Sequence, residues 1–581
     1  MPASNYDKTP FISIDGDVIA GWDAVCVHLV QQIKVSGSLK TVIVFELYPG
    51  TNYREIIDGI RGLHPVLVVD SADCMFPHEK IEEMTAGDVT NDEVFGFMTR
   101  LQMEDFFDPS AMMLAKSQVE AVREGIVVII GQGAMLVAGR SDVLVYADMA
   151  RWEIQKRMKR GSVHGLGVAD LGLPFSKLYK RGYFVDWRVC DRYKKKILPL
   201  ISYVLDTTQA GKPKMIGADL MFRALKKTAS QPFRVVPYFD PGPWGGQWMK
   251  EVCGLDKALL NYAWCFDCVP EENSLLLNIS GCIVEIPAIN LVFCESNALL
   301  GAQVEERFGQ EFPIRFDFLD TMDGGNLSLQ VHPDTRYIRD QFGMPYTQDE
   351  SYYLLDAGED ASVYLGLKTG IDPAEMIKEL NEAQNGGALF NAGHFVNRFP
   401  ARKHDHFLIP AGTVHCSGAN AMVLEISATP YIFTFKMWDW NRMGLDGKPR
   451  PINIGHASKV IRWERDTDWV QDELINQVEL VAKGEGWREE RTGLHHLEFI
   501  ETRRHWFSVK VLHQTHGSVN VLNLVEGDEA VVESPGNRFA PFVVHYAETF
   551  IIPASVMEYT ISPCGLSERK EIATIKAYVR L

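Results

Sequence analysis

From residue 11 to about residue 225, short apolar runs alternate with amphipathic stretches of helical period. The runs fall at 11–16, 40–45, 65–70, 126–130 and 143–146. Apolar runs bounded by turns and separated by helices predict a parallel sheet buried on both faces, and so an α/β region over 1–230. After about Pro232 the pattern changes to short strands rich in aromatic and β-branched residues, punctuated by Gly, Pro, Asp and Asn. That texture predicts all-β barrels or sandwiches, one over 231–480 and a second over 481–581. One helix interrupts them at 371–380, with Asp372 as N-cap and Pro373 in the first turn. The runs at 407–411 (FLIPA) and 550–554 (FIIPA) suggest that the two barrels are related.

A chain of 581 residues exceeds one hydrophobic core, since single cores stop growing near about 250–300 residues. The net charge of −18 opposes binding to a nucleic-acid backbone. An anionic small substrate would need a local positive pocket. Ten scattered cysteines lack the density of a disulfide scaffold and predict a reducing cytoplasm. Cys265 and Cys268 form a CxxC without a second pair, which predicts two buried thiols rather than a zinc knuckle. No signal-like or membrane-length apolar run occurs, so no membrane partner is expected.

Candidate chemistry comes from three pieces of the central barrel. Gln330 and His332 are two apart, and on a strand both point to one side. Glu350 stands at the start of an apolar run, and His415 closes a Pro-Gly turn, Pro410-Ala411-Gly412-Thr413-Val414-His415. One amide oxygen, one carboxylate and two imidazoles suit Zn²⁺ or another divalent ion, one per chain, with a position left open for ligand.

These stretches, with Pro243-Trp244-Gly245-Gly246, Gly309-Gln310-Glu311-Phe312-Pro313 and Asn397-Arg398-Phe399-Pro400, resemble the type I mannose-6-phosphate isomerases. The resemblance implies a jelly-roll cupin and an aldose–ketose isomerase that interconverts mannose 6-phosphate and fructose 6-phosphate through an enediol. It implies Glu425 as general base, Ser328 as a phosphate contact, and Lys436 and Arg442 as catalytic cations. Lys436 stands where relatives usually carry Arg, and Lys lacks the bidentate fork. Asp317 stands near where relatives tend to carry Lys, with Arg315 two residues away as a compensating substrate contact. The alternative reading is a non-catalytic sugar-phosphate sensor. The N-terminal region resembles a P-loop nucleoside or sugar kinase without a phosphate loop, its first strand at 11–16 and its basic lid at 151–160, retained as a scaffold or homo-oligomerisation element. The last barrel is cupin-like but lacks the ligand motifs.

Overall fold

The computed structural model describes residues 4–581 apart from 171, 444–449, 451 and 494. In the N-terminal region a seven-stranded sheet runs in the order Ile19–Ala20, Lys214–Gly217, Tyr203–Asp206, Val143–Asp148, Lys40–Leu47, Gly125–Gly131, Leu67–Asp70. The five strands from Tyr203–Asp206 to Leu67–Asp70 are parallel, and the two at the other edge are antiparallel. Both faces are buried, as the unbroken apolar runs predicted. Val42 and Val44 enter one core while Ile43 and Phe45 enter another. The first of these cores continues without interruption into the central barrel.

Residues 11–16 do not belong to that sheet. Phe11–Ile14 pairs in parallel with Leu276–Ile279, in a separate three-stranded sheet closed by Cys282–Pro287. Its local pattern explains the difference. Phe11 is 52% exposed and Ile12 is 3% exposed, the alternation of an edge strand rather than of a doubly buried one. Residues 11–16 were expected to open the parallel sheet; its first parallel strand in sequence is instead Lys40–Leu47. The turn that leaves it, Tyr48-Pro49-Gly50-Thr51-Asn52, has no Gly-Lys-Ser/Thr. The expected basic lid is a packed helix, Arg151–Lys159, with Arg151 paired to Asp191 and Arg157 Nη1 donating to Gly50 O at 2.9 Å.

The central region is an antiparallel sandwich. One sheet has six strands, in the order His406–Ile409, Asp349–Ala357, Ala421–Ala428, Arg315–Asp320, Trp264–Cys268, Tyr238–Asp240. The other has five, in the order Val396–Pro400, Ser362–Leu367, His415–Ser417, Leu329–Val331, Phe435–Trp438. The predicted helix is present as Pro373–Gln384, capped by the Asp372 side chain on the Ala374 amide. Cys265 and Cys268 are buried thiols. The C-terminal region repeats the two-sheet plan with six and four strands around its own apolar core. Its strand Thr549–Ile552 and the central strand His406–Ile409, which begin the two related FLIPA/FIIPA runs, both lie at the edge of their six-stranded sheets. No helix among the described residues is long and apolar enough to cross a membrane.

The N-terminal region also supports the central barrel. Phe95 packs against Phe433 and Phe435 with ring centroids 5.0 and 5.2 Å apart, and the Tyr183 hydroxyl donates to Ile432 O at 3.1 Å.

Candidate metal centre

Strand register assembles the site from both walls of the central sandwich. In the five-stranded sheet Gln330 is paired with His415 on one side and with Lys436 on the other. Paired residues project to one face, and His332 shares it by alternation. In the six-stranded sheet Glu350 is paired with Ser427, and Glu425 with Tyr352 and Asp317. These side chains form the facing wall.

His332, Glu350 and His415 place one ligand atom each within 4.8 Å of one another, and all three are buried. Among the described residues this is the one such group of three or more. Glu350 Oε2 lies 3.2 Å from His332 Nε2, and Oε1 lies 2.9 Å from His415 Nε2. Each imidazole uses its other nitrogen on the backbone: His332 Nδ1 on Phe433 O and His415 Nδ1 on Thr413 O, both at 2.8 Å. A carbonyl only accepts, so each Nδ1 carries the proton and each Nε2 turns a lone pair toward the carboxylate. Lone pairs and a carboxylate converging in a dry interior need a cation between them. Consistent with that need, His332 Nε2 and Glu350 Oε1 find no hydrogen-bond partner among the described residues. Gln330 completes the donor set, its amide end 3.2 Å from His415 Nε2. A half-turn of that amide would present oxygen in place of nitrogen. The residues fit a divalent metal.

Beside the cluster, Glu425 Oε1 accepts from Ser427 Oγ at 2.9 Å and from Gln348 Nε2 at 3.0 Å. Burial, then the charges of Glu350 and Asp317, push its carboxyl well above the usual range. Gln348, which the sequence reading missed, also donates to Glu350 Oε2 at 2.8 Å, and its own oxygen accepts the Phe433 amide at 2.8 Å. One residue, Phe433, thus touches Gln348 through its amide and His332 through its carbonyl. The alternation that picked out Gln330 with His332 could have picked out Gln348 with Glu350.

The cations gather on the Lys436 side. Lys436 is half-buried. Burial and then the neighbouring Arg450 push its ammonium down to about 8. Asp439 ties the rest together: it accepts from Ser328 Oγ at 2.7 Å and from Arg442 Nη2 at 2.6 Å, and pairs with Arg450 Nη1 at 3.0 Å. Arg450 is a second residue that the sequence reading missed. Arg315 is not part of this group. It is 3% exposed and pairs with Asp317 Oδ2 at 3.1 Å on the opposite wall. Expected as a substrate contact, it stands beside Asp317, whose carboxyl burial lifts to about 6.

Strict alternation along 434–439 would put Lys436 and Trp438 on one face. The strand instead bulges, so that Lys436 pairs with Gln330 while Trp438 pairs with Leu329.

Comparison with known proteins divides the chain. A family described as "Domain of unknown function (DUF8485)" matches residues 21–230. The mannose-6-phosphate isomerase of Streptococcus mutans is 26% identical over 220 residues, covering 38% of this chain and 64% of that protein. A putative mannose-6-phosphate isomerase of Bacillus subtilis, YvyI, is 25% identical over 228 residues, covering 39% of this chain and 66% of that protein. The chain therefore spans just under two thirds of the length of these curated relatives. Among solved structures, the mannose 6-phosphate isomerase from Bacillus subtilis superposes with a TM-score of 0.49 at 17% identity, covering 60% of this chain and all of that one. In its motifs, and over 220–228 residues, the chain is similar to proteins named mannose-6-phosphate isomerase.

Proposed function

We propose that the central barrel is a metal-dependent aldose–ketose isomerase that interconverts mannose 6-phosphate and fructose 6-phosphate. The observation that carries this reading is the convergence of two imidazoles and the Glu350 carboxylate beside a second buried carboxyl, Glu425, which burial pushes above the usual range. The curated relatives named for this activity support it.

Gln330, His332, Glu350 and His415 would hold the ion, and nitrogen with oxygen donors suits Zn²⁺. When bound, it supplies Lewis-acid stabilisation to the sugar oxygens at C1 and C2. The chain does the rest. Glu425 moves the proton between C2 and C1, and a carboxyl held high by burial is a strong base once deprotonated. Ser427 and Gln348 keep it aimed. Lys436, Arg442 and Arg450 outnumber the single Asp439 among them, leaving net positive charge for the phosphate. Ser328 adds a hydroxyl on the same side. In this reading the chain comprises an α/β region over 1–230, the catalytic cupin over 231–480 and a cupin-like region without ligands over 481–581. The test is turnover by the metal-loaded full chain across several hexose phosphates, with elemental analysis. Conversion of mannose 6-phosphate at one metal per chain is expected, and absence of turnover with metal in place refutes the assignment.

A further inference from the structure

A cavity that shares no lining residue with the metal centre lies in the N-terminal region. It measures about 880 Å³ and opens at the carboxyl edge of the parallel sheet. Small-molecule sites commonly occupy about 300–1,000 Å³, and in open α/β sheets they lie where neighbouring strands send the chain in opposite directions. That condition is met here. The chain leaving Lys40–Leu47 runs toward Leu67–Asp70, whereas the chain leaving Gly125–Gly131 crosses back to Val143–Asp148 on the other side. The crevice sits at the ends of these strands, with Leu47, Asp70 and Gly131 in its wall, and residues 161–169 form another side.

The lining is mixed. Tyr53 and Phe76 supply aromatic faces, while Asp70, Gln132, Asn52 and Arg54 supply planar polar groups. Asp70 is held in place: its Oδ1 accepts the Ala72 amide at 2.9 Å. The Ser71 hydroxyl fixes the neighbouring strand end on Gln132 O at 2.8 Å. The Arg54 guanidinium and the Gln132 side-chain amide engage no hydrogen bond or ion pair among the described residues. Gly50 and Gly131, with φ of +88° and +129°, also line the wall, and a side chain on either would collide with Ile154 or Ser71. Aromatic faces suit the apolar face of a pyranose ring. Carboxylate, amide and guanidinium groups in one cleft suit its vicinal hydroxyls, which both donate and accept.

We propose that this cavity is a second ligand site, distinct from the cupin centre, that binds a polyhydroxylated sugar and holds a phosphate-bearing sugar more tightly through Arg54. The site requires no chemistry on the ligand. Its position outside the catalytic barrel makes it a site for sensing or delivering a sugar rather than converting it.

Hydrogen–deuterium exchange on the metal-loaded full chain tests this with three probes: mannose, mannose 6-phosphate and inorganic phosphate. Both sugars are expected to slow exchange in 48–54 and 161–169, with a midpoint about tenfold lower for the phosphorylated sugar, the effect of one charge-assisted contact. Arg54→Ala should erase that tenfold difference, and Asp70→Ala should weaken both sugars. Neither variant touches the cupin, so protection around 328–350 is read separately and reports the isomerase site whatever happens here. Unchanged exchange in 48–54 and 161–169 at saturating sugar overturns the proposal. So does protection by inorganic phosphate equal to that by mannose 6-phosphate, which would mark a simple anion site.

Discussion

Gln330 and Lys436 face each other across an antiparallel pair, with His415 on the other side of Gln330. His415 is wholly buried, Gln330 is 9% exposed, and Lys436 is half-buried. The row therefore runs from the metal cluster outward to solvent, with the cation at its outer end. Lys436→Ala should lower kcat/KM by about ten- to a hundredfold, the loss of one charge-assisted contact of roughly 1.5–3 kcal/mol. Bound metal should stay unchanged. An Ala variant with the parent kcat/KM removes Lys436 from the pocket.

The depressed Lys436 ammonium predicts a pH limb. It is charged below about 8 and loses its charge above it, so kcat/KM should fall as pH rises through that value, since this parameter reports groups of the free enzyme. Lys436→Arg should carry the fall to higher pH. For stability the sign is opposite. The unfolded chain, with an ordinary lysine near about 10.4, binds more protons than the folded one between the two values, so this group's contribution to stability rises with pH across that window. A limb that stays in place in the Arg variant belongs to another group.

His332→Ala and His415→Ala should each release the metal and abolish turnover, because each removes one of two imidazoles whose tautomers the backbone has fixed. Elemental analysis after gel filtration reads this. Stoichiometric metal in either variant would locate the ion elsewhere.

Gln348 holds Glu350 and Glu425 apart with a single amide nitrogen. Gln348→Ala should weaken metal affinity by about 10–100-fold, the usual cost of losing an outer partner of a ligand, and should lower kcat at saturating metal. Chelator competition separates the two effects. If only the melting temperature moves, Gln348 is structural.

Phe95→Ala should destabilise the protein by about 3–5 kcal/mol as a buried aromatic truncation. It should also weaken metal binding, since Phe95 packs on Phe433, whose amide and carbonyl orient Gln348 and His332. For the same reason, deleting residues 1–225 should cost turnover even though every ligand lies beyond that point. A truncated chain that folds and keeps full turnover would show that the N-terminal buttress is dispensable.

What could be read from the sequence follows from the range of the forces involved. Gln330, His332 and His415 were legible because strand alternation and a Pro-Gly turn are local. The α/β sheet was legible from runs buried on both faces, and Phe11–Ile14 was misplaced because an apolar run alone does not name its partner strand. Gln348 reaches Glu425 across 77 residues of sequence, and nothing local announces that contact. The bulge that separates Trp438 from Lys436 likewise depends on the partner strand. Arg315 is expected at substrate by resemblance, near a position where relatives carry Lys, and its pairing with Asp317, two positions away, depends on how both side chains pack inside the fold.

The most direct test of the central claim is the reaction of metal-loaded full-length protein with mannose 6-phosphate in D₂O, followed by NMR. Proton transfer through Glu425 predicts fructose 6-phosphate with deuterium at C1, lost on chelation and in Glu425→Gln. Mannose 6-phosphate that binds the metal-loaded protein yet remains unconverted, with no deuterium entering C1 or C2, would contradict it.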